Sequence, residues 1–233
     1  MDTMLNLNIY GLKIQLHFAS WSDETEAADL FALFLNDDHD EADVSFEFGK
    51  NVVRQEIARH LFPFLAEREI WAIHSGGFHY HGGHLTVGPS NCGKTTFSYM
   101  AAKNGLFLLS DDITLMKDTA SGVEVLPFYS ALYLKHKVIL PDSSIFKPTL
   151  LKYLLLPRFS KGAFCIRKIE QRSDLLRQLV PQFLWSYNER EQEKQKRFLE
   201  LLCNYPAFEV YWNETMFDDH RLLRDVLDAI VQN

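Results

Sequence analysis

One stretch constrains this chain more than any other: Gly88-Pro89-Ser90-Asn91-Cys92-Gly93-Lys94-Thr95-Thr96. It matches G-x-x-x-x-G-K-[ST] at every fixed position, the pattern in which backbone N–H groups and a helix N-terminus close around phosphate oxygens. The flanks agree with it. His84-Leu85-Thr86-Val87 reads as a strand entering the loop. Residues 95 to 103 read as a helix leaving it, with Phe97, Met100 and Ala101 at i, i+3, i+4 and Asn104-Gly105 as the stop. An ordinary glycine turn is the bland alternative, and the strand–loop–helix context weighs against it. These residues point to a site for a nucleoside triphosphate or a related phosphate.

A polyphosphate site needs carboxylates as well as a cradle. Lys94 can neutralise phosphate charge and the Thr95 hydroxyl can ligate Mg²⁺, but an acid must also serve the metal, and a phosphoryl acceptor needs a base. Asp111 and Asp112 begin 17 residues after Lys94, where the apolar run Leu106-Phe107-Leu108-Leu109 ends. A buried strand there brings the pair to the end of the sheet that carries the loop, where open α/β sheets place their ligands. Two adjacent acids repel, so one of them is suited to take up a proton. An Asp-Asp turn after a strand is the alternative.

Composition narrows the class. With 233 residues, 47% hydrophobic and 18 of them Phe, the chain can build one sizeable core. A net charge of −7 leaves no basic surface for nucleic acid. Apolar runs are far too short to span a bilayer, and the start of the chain lacks the features of a signal peptide. Three cysteines (Cys92, Cys165, Cys203) form no C-x-x-C, so a reducing cytoplasm is expected.

In chain order, Leu5 to Phe18 alternates like a hairpin around Tyr10-Gly11, and a helix follows from a Ser22 cap to about Leu35. The acidic turn 36–41 lacks the Gly and the distant Glu of a calcium loop. A strand over 42–48, a helix over 52–65 disturbed by Pro63, and a strand over 69–74 come next, then Gly76-Gly77 and a hairpin over Gly82-Gly83. His79, His81 and His84 read as surface hairpin residues, and a zinc site on them has no nearby Cys or carboxylate to complete it. His74 lies on the preceding strand, within reach of the phosphate site. Strands are expected at 113–116, 123–126, 150–156, 163–169 and 208–212, with helices at 173–185, 189–203 and 218–231. The charged run 189–197 reads as a solvated helix face.

Ile73-His74, the glycine loop and Leu109-Ser110-Asp111-Asp112 together resemble the catalytic domain of bacterial HPr serine kinase/phosphorylases and their shorter relatives. In that family a histidine stands about 14 residues before the loop and an aspartate pair soon after it. Val125-Leu126-Pro127-Phe128 with Leu132, and Pro206-Ala207-Phe208-Glu209-Val210, resemble further segments of the short relatives. The likeness is strong over residues 70–117 and weak elsewhere. It implies an α/β fold with a mixed β-sheet, flanking helices and a P-loop, of the phosphoenolpyruvate-carboxykinase-like kind. One domain over 1–233 is expected, in which 1–66 is an N-terminal β/α part that reads as belonging to the same sheet.

The resemblance implies ATP-dependent phosphorylation of a serine on a protein or peptide, with ATP and Mg²⁺ as cofactors and no nucleic acid or membrane partner. Whether the chain forms a homo-oligomer is open. Lys94, Thr95 and Thr96 with residues 88–93 hold the nucleotide; Thr95 and Asp112 serve the metal. In this reading Asp111 would act as base and His74 would orient or charge-balance the pair, although the two aspartate roles could be reversed. Arg158 and Arg167 are candidates for the cation that steadies the transferring phosphoryl. The longer enzymes' R-G-x-G-I signature has no counterpart, nor has their separate N-terminal domain. Two other functions fit the loop: a nucleotide-binding regulatory or scaffold protein, and a small-molecule or nucleotide kinase of the common P-loop fold.

Overall fold

A computed structural model describes residues 3–36, 41–49, 54–128, 132–134, 137–139, 147–161, 164–213 and 221–231. The chain divides into two compact units, 1–69 and 70–233. In the first, β1 (Thr3–Ile9) and β2 (Leu12–Phe18) form the expected hairpin, turning through Tyr10 and Gly11 at φ 52° and 84°. Leu5, Leu7, Ile9, Leu12, Ile14, Leu16 and Phe18 are all buried, as period-2 patterning demands when one face is covered. Helix α1 (Trp21–Leu30) carries the chain over to β3 (Val44–Phe48), which pairs parallel to β2. Its cap is Ser20 rather than Ser22, and a 3₁₀ turn at Ala32–Phe34 replaces its expected end. Helix α2 (Arg54–Glu67) continues past Pro63. Residues 37–40 of the acidic turn and 52–53 of the expected helix lie outside the described residues.

One expectation is corrected here. These three strands form a sheet of their own, in the order β1-β2-β3, instead of joining the sheet that carries the glycine loop. β2 is central, paired antiparallel to β1 and parallel to β3, both of them near it in sequence.

The second unit is built on a nine-stranded mixed sheet. Its strands are β4 (Ile70–Ile73), β5 (Ser75–His79), β6 (Gly83–Val87), β7 (Phe107–Ser110), β8 (Thr114–Thr119), β9 (Gly122–Leu126), β12 (Thr149–Phe159), β13 (Cys165–Lys168) and β14 (Ala207–Trp212). Between β9 and β12 a separate small hairpin pairs β10 (Leu132–Leu134) with β11 (Lys137–Ile139). The order is β4-β8-β9-β12-β6-β5-β7, and β14 pairs with both β12 and β13. Because β12 runs parallel to β6 and to β14, and β5 runs antiparallel to both β6 and β7, the C-terminal ends of β6, β7, β12 and β14 share one end of the sheet. Helix α3 (Lys94–Lys103) buries Phe97, Met100 and Ala101 against Phe78, Leu155, Phe208 and Val210 of the sheet, and α6 (Arg221–Val231) adds Leu223, Val226, Leu227 and Ile230 to that core. Helices α4 (Arg172–Leu179) and α5 (Glu189–Leu202) lie between β13 and β14 in the chain. Among the described residues no helix is long and apolar enough to cross a membrane.

Several local readings shift. Gly76 and Gly77 sit inside β5, and the hairpin turns at His81 and Gly82. His84 is fully buried, not on the surface: its ring stacks on Phe78 at 5.1 Å and on Tyr153 at 5.4 Å, and its Nε2 lies 2.8 Å from the Tyr80 carbonyl oxygen. On α5 the charged run is solvated along one face only. Gln195 is buried, accepting from Ser186 N at 2.8 Å and donating to Leu184 O at 3.0 Å, which pins the segment ahead of the helix.

Candidate active site at the end of the glycine loop

Strand β6 ends at Val87, and the next six residues climb to the first turn of α3. The climb uses left-handed backbone at Gly88 (φ 156°), Asn91 (φ 65°) and Gly93 (φ 112°). Glycine is needed at both ends for space as well as torsion. A Cβ on Gly88 would stand 2.8 Å from Cys92 Sγ, and one on Gly93 would stand 2.6 Å from the Trp212 ring. Trp212 also donates its indole N–H to the Cys92 carbonyl at 3.2 Å, so the far end of β14 props the loop. Pro89, Ser90 and Asn91 are exposed at the crest, while Thr95 and Thr96 are half-buried in the first turn of the helix.

Lys94 is only 6% exposed, and its ammonium donates to the carbonyls of Gly88 (2.8 Å) and Pro89 (3.1 Å). Burial pulls its pKa below the ordinary lysine value, and the Cys92 thiol and the carboxylates of Asp112 and Asp111 oppose that pull. A lysine folded back onto its own loop therefore has both acids within electrostatic reach.

The register explains why they are near. Strands β4 and β5 run as one interrupted strand against β8 and β7. Ile73 pairs with Thr114 and Gly77 with Ser110, so the interruption falls at His74 on one side and at 111–113 on the other. The Thr114 hydroxyl ties the two together by donating to Ser75 O at 3.0 Å. His74 Nε2 stands 3.3 Å from Asp112 Oδ1. Because Ser75 also pairs with Val87, His74 comes level with the start of the loop.

The chain turns sharply at the acids. Asp112 holds φ 72°, Ile113 N donates to Asp111 O at 3.0 Å, and the Ser110 hydroxyl donates to the Ile113 carbonyl. Such non-glycine left-handed residues gather at functional sites. Asp111 is 3% exposed, and its Oδ1 lies 3.8 Å from where a Gly76 Cβ would be. That same Cβ would meet Ser98 Oγ at 2.5 Å and Thr86 Oγ1 at 2.6 Å. Gly76 is thus a glycine within a strand because the polar floor under the loop occupies its side-chain space.

The structure thus brings His74, Asp111, Asp112 and Lys94 to one end of the sheet with the 88–96 loop. The candidate arginines reach the same end of the sheet but do not stand beside the acids. Arg158 pairs with Glu209 at 3.4 Å, and Arg167 lies over the Tyr211 ring at 5.6 Å, on strands beyond β6 from the acids. His79 lies 3.0 Å from Thr149 Oγ1, and no group of three or more His, Cys, Asp or Glu forms a metal cluster among the described residues. Sequence reasoning missed Trp212. Trp212 was read only as the end of a strand, and its contact with the loop crosses 120 residues.

No protein-family model matches the chain, and no curated protein matches it in sequence. Among solved structures, the HPr(Ser) kinase/phosphatase from Coxiella burnetii aligns over 70% of this chain and 99% of its own, at 10% identity and a TM-score of 0.42.

Proposed function

We propose that the chain is an ATP-dependent kinase that transfers the γ-phosphoryl group of ATP to a serine hydroxyl of a protein or peptide. One observation carries the proposal. A buried aspartate, a second aspartate beside a histidine, and a buried lysine share the sheet end from which a glycine-cradled helix starts. Charged groups are costly to bury, and a concentration of them at one sheet end supports a functional role.

In this proposal the loop N–H groups and the start of α3 bind the β- and γ-phosphates, and Lys94 leaves the Gly88 and Pro89 carbonyls to pair with them. The available donors are the Thr95 hydroxyl and the Asp112 carboxylate. They are oxygen ligands of the kind Mg²⁺ takes, one or two carboxylates completed by substrate phosphates. When bound, Mg²⁺ would neutralise charge on the β- and γ-oxygens. Asp111 accepts the proton of the acceptor serine as its Oγ bonds to the γ-phosphorus. The bond from that phosphorus to the bridging oxygen breaks, and ADP carries the electron pair away. His74 holds Asp112 by its 3.3 Å contact and so orients the second acid. Protein in a reducing compartment and free of nucleic acid is the expected setting.

The test is label transfer from γ-phosphoryl-labelled ATP with Mg²⁺ and fractionated host extract. Label on a serine of one protein or peptide fraction is the expected result. Nucleotide binding with no transfer to any fraction would favour a regulatory nucleotide-binding protein instead.

A further inference from the structure

We propose that Phe159 and Trp212 form the platform on which the nucleotide's base stacks, a proposal that rests on the phosphate-loop reading above. The placement follows from strand lengths. Leu155 pairs with Thr86, so β12 runs three residues beyond the level of Val87, where β6 stops, and at about 3.3 Å per residue it rises about 10 Å past it. β14 rises with it, since Phe159 pairs with Trp212. The two strands form a wall beside the glycine loop.

Its upper edge is aromatic. Phe159 and Trp212 meet edge-to-face at 5.1 Å, and Phe159 is 50% exposed, an unusual state for the last residue of a central strand. They lie on the α3 face of the sheet. Phe208 and Val210, at alternate positions of β14 below Trp212, pack in the α3 core, and Trp212 packs against that cluster. The opposite face at this height carries Arg158, Glu209 and Tyr211, held together at 3.4 and 3.0 Å. Trp212 is fixed to the loop by its hydrogen bond to Cys92 O and by its packing on Gly93, so the platform and the cradle are one structure.

Direction selects the occupant. β5 and β7, with His74, Asp111 and Asp112, lie on one side of β6, and β12 and β14 lie on the other. If the γ-phosphoryl is turned toward the acids, the nucleoside leaves on the side of the wall. An exposed aromatic ring, tolerant of which base it meets, is what a nucleoside needs there.

The test compares MgATP with magnesium tripolyphosphate by calorimetry, in the parent, Phe159→Ala and Phe159→Tyr. Phe159 is chosen because it does not touch the loop's hydrogen bonds. Loss of a stacking ring should weaken MgATP by about fivefold or more while leaving tripolyphosphate unchanged. Phe159→Tyr, which keeps a ring, should bind MgATP like the parent. Equal weakening of both ligands in Phe159→Ala overturns the platform, as does unchanged MgATP affinity, the result expected if the pair receives an acceptor side chain. A Tyr variant as weak as the Ala variant also overturns it. Failure of the parent to bind either ligand overturns the phosphate-loop reading, and the platform with it.

Discussion

The two ends of β6 carry nearly the same residues and do different things. Its N-terminal end has Gly82-Gly83 with His79, His81 and His84; its C-terminal end has Gly88 with His74 nearby. At the first end His84 is wholly buried between Phe78 and Tyr153, and burial pushes its pKa down to about 4. It is a neutral core ring. At the second end His74 is part-exposed, faces Asp112 at 3.3 Å and stands level with a loop whose lysine is buried among carbonyls and acids. Glycine and histidine do not mark a site by themselves. A site is marked by the charge that accompanies them and by the sheet end on which they fall.

The comparison breaks most readily at the acids. Asp111→Asn keeps the side chain's shape and removes its basicity, so transfer from labelled ATP should fall by about 10²–10⁴-fold. Nucleotide affinity should hold or improve slightly, since a negative group near phosphate is lost. Transfer at the parent rate in Asp111→Asn, but not in Asp112→Asn, would exchange the two roles. Parent rates in both variants would make the pair structural.

At the other end of the strand the expected effect is on stability alone. The His84 pKa is about 4 when folded against 6.5 when exposed, so between these values the unfolded chain binds more protons. Stability is therefore fully present above about pH 6.5 and falls as pH drops toward 4, by on the order of 3 kcal/mol in total. His79 is also lowered, chiefly by burial, and adds in the same direction. Urea unfolding at pH 7 and pH 5 should show a smaller difference for His84→Gln than for the parent. An equal difference would mean that His84 does not titrate as a buried group.

A smaller contrast lies in two glycines with positive φ. Gly82→Ala and Gly93→Ala should each cost about 1–2 kcal/mol in backbone strain. The Cβ at Gly82 would displace only the flexible Lys152 side chain, whereas the one at Gly93 would strike the indole that props the loop. Only Gly93→Ala should weaken MgATP binding. Equal affinity in both variants would remove Trp212 from the account of the loop.

What the sequence made legible is what local chemistry decides. The loop spacing, the helix from Lys94 to Lys103 and the strand ending at Ser110 follow from residue types within a few positions, and strand order then puts the acids at the loop's end. Features set by distant partners were not legible. That Gly76 lies inside a strand was not legible, because nothing local shows that Ser98 and Thr86 fill its side-chain space. His84 read as exposed because its stacking partner Tyr153 is on another strand. The first three strands read as part of the larger sheet, yet among the described residues they pair with one another in a sheet of their own. Phe159 and Trp212 meet only because β12 and β14 outrun β6 together.

The central claim is that the 88–96 loop holds a triphosphate with Lys94 as its fixed cation. Calorimetric titration of MgATP into the parent and into Lys94→Ala tests it most directly. Charge-assisted hydrogen bonds are worth about 1.5–3 kcal/mol each, so affinity should fall by about tenfold or more. MgATP bound equally well by the two proteins would contradict the claim.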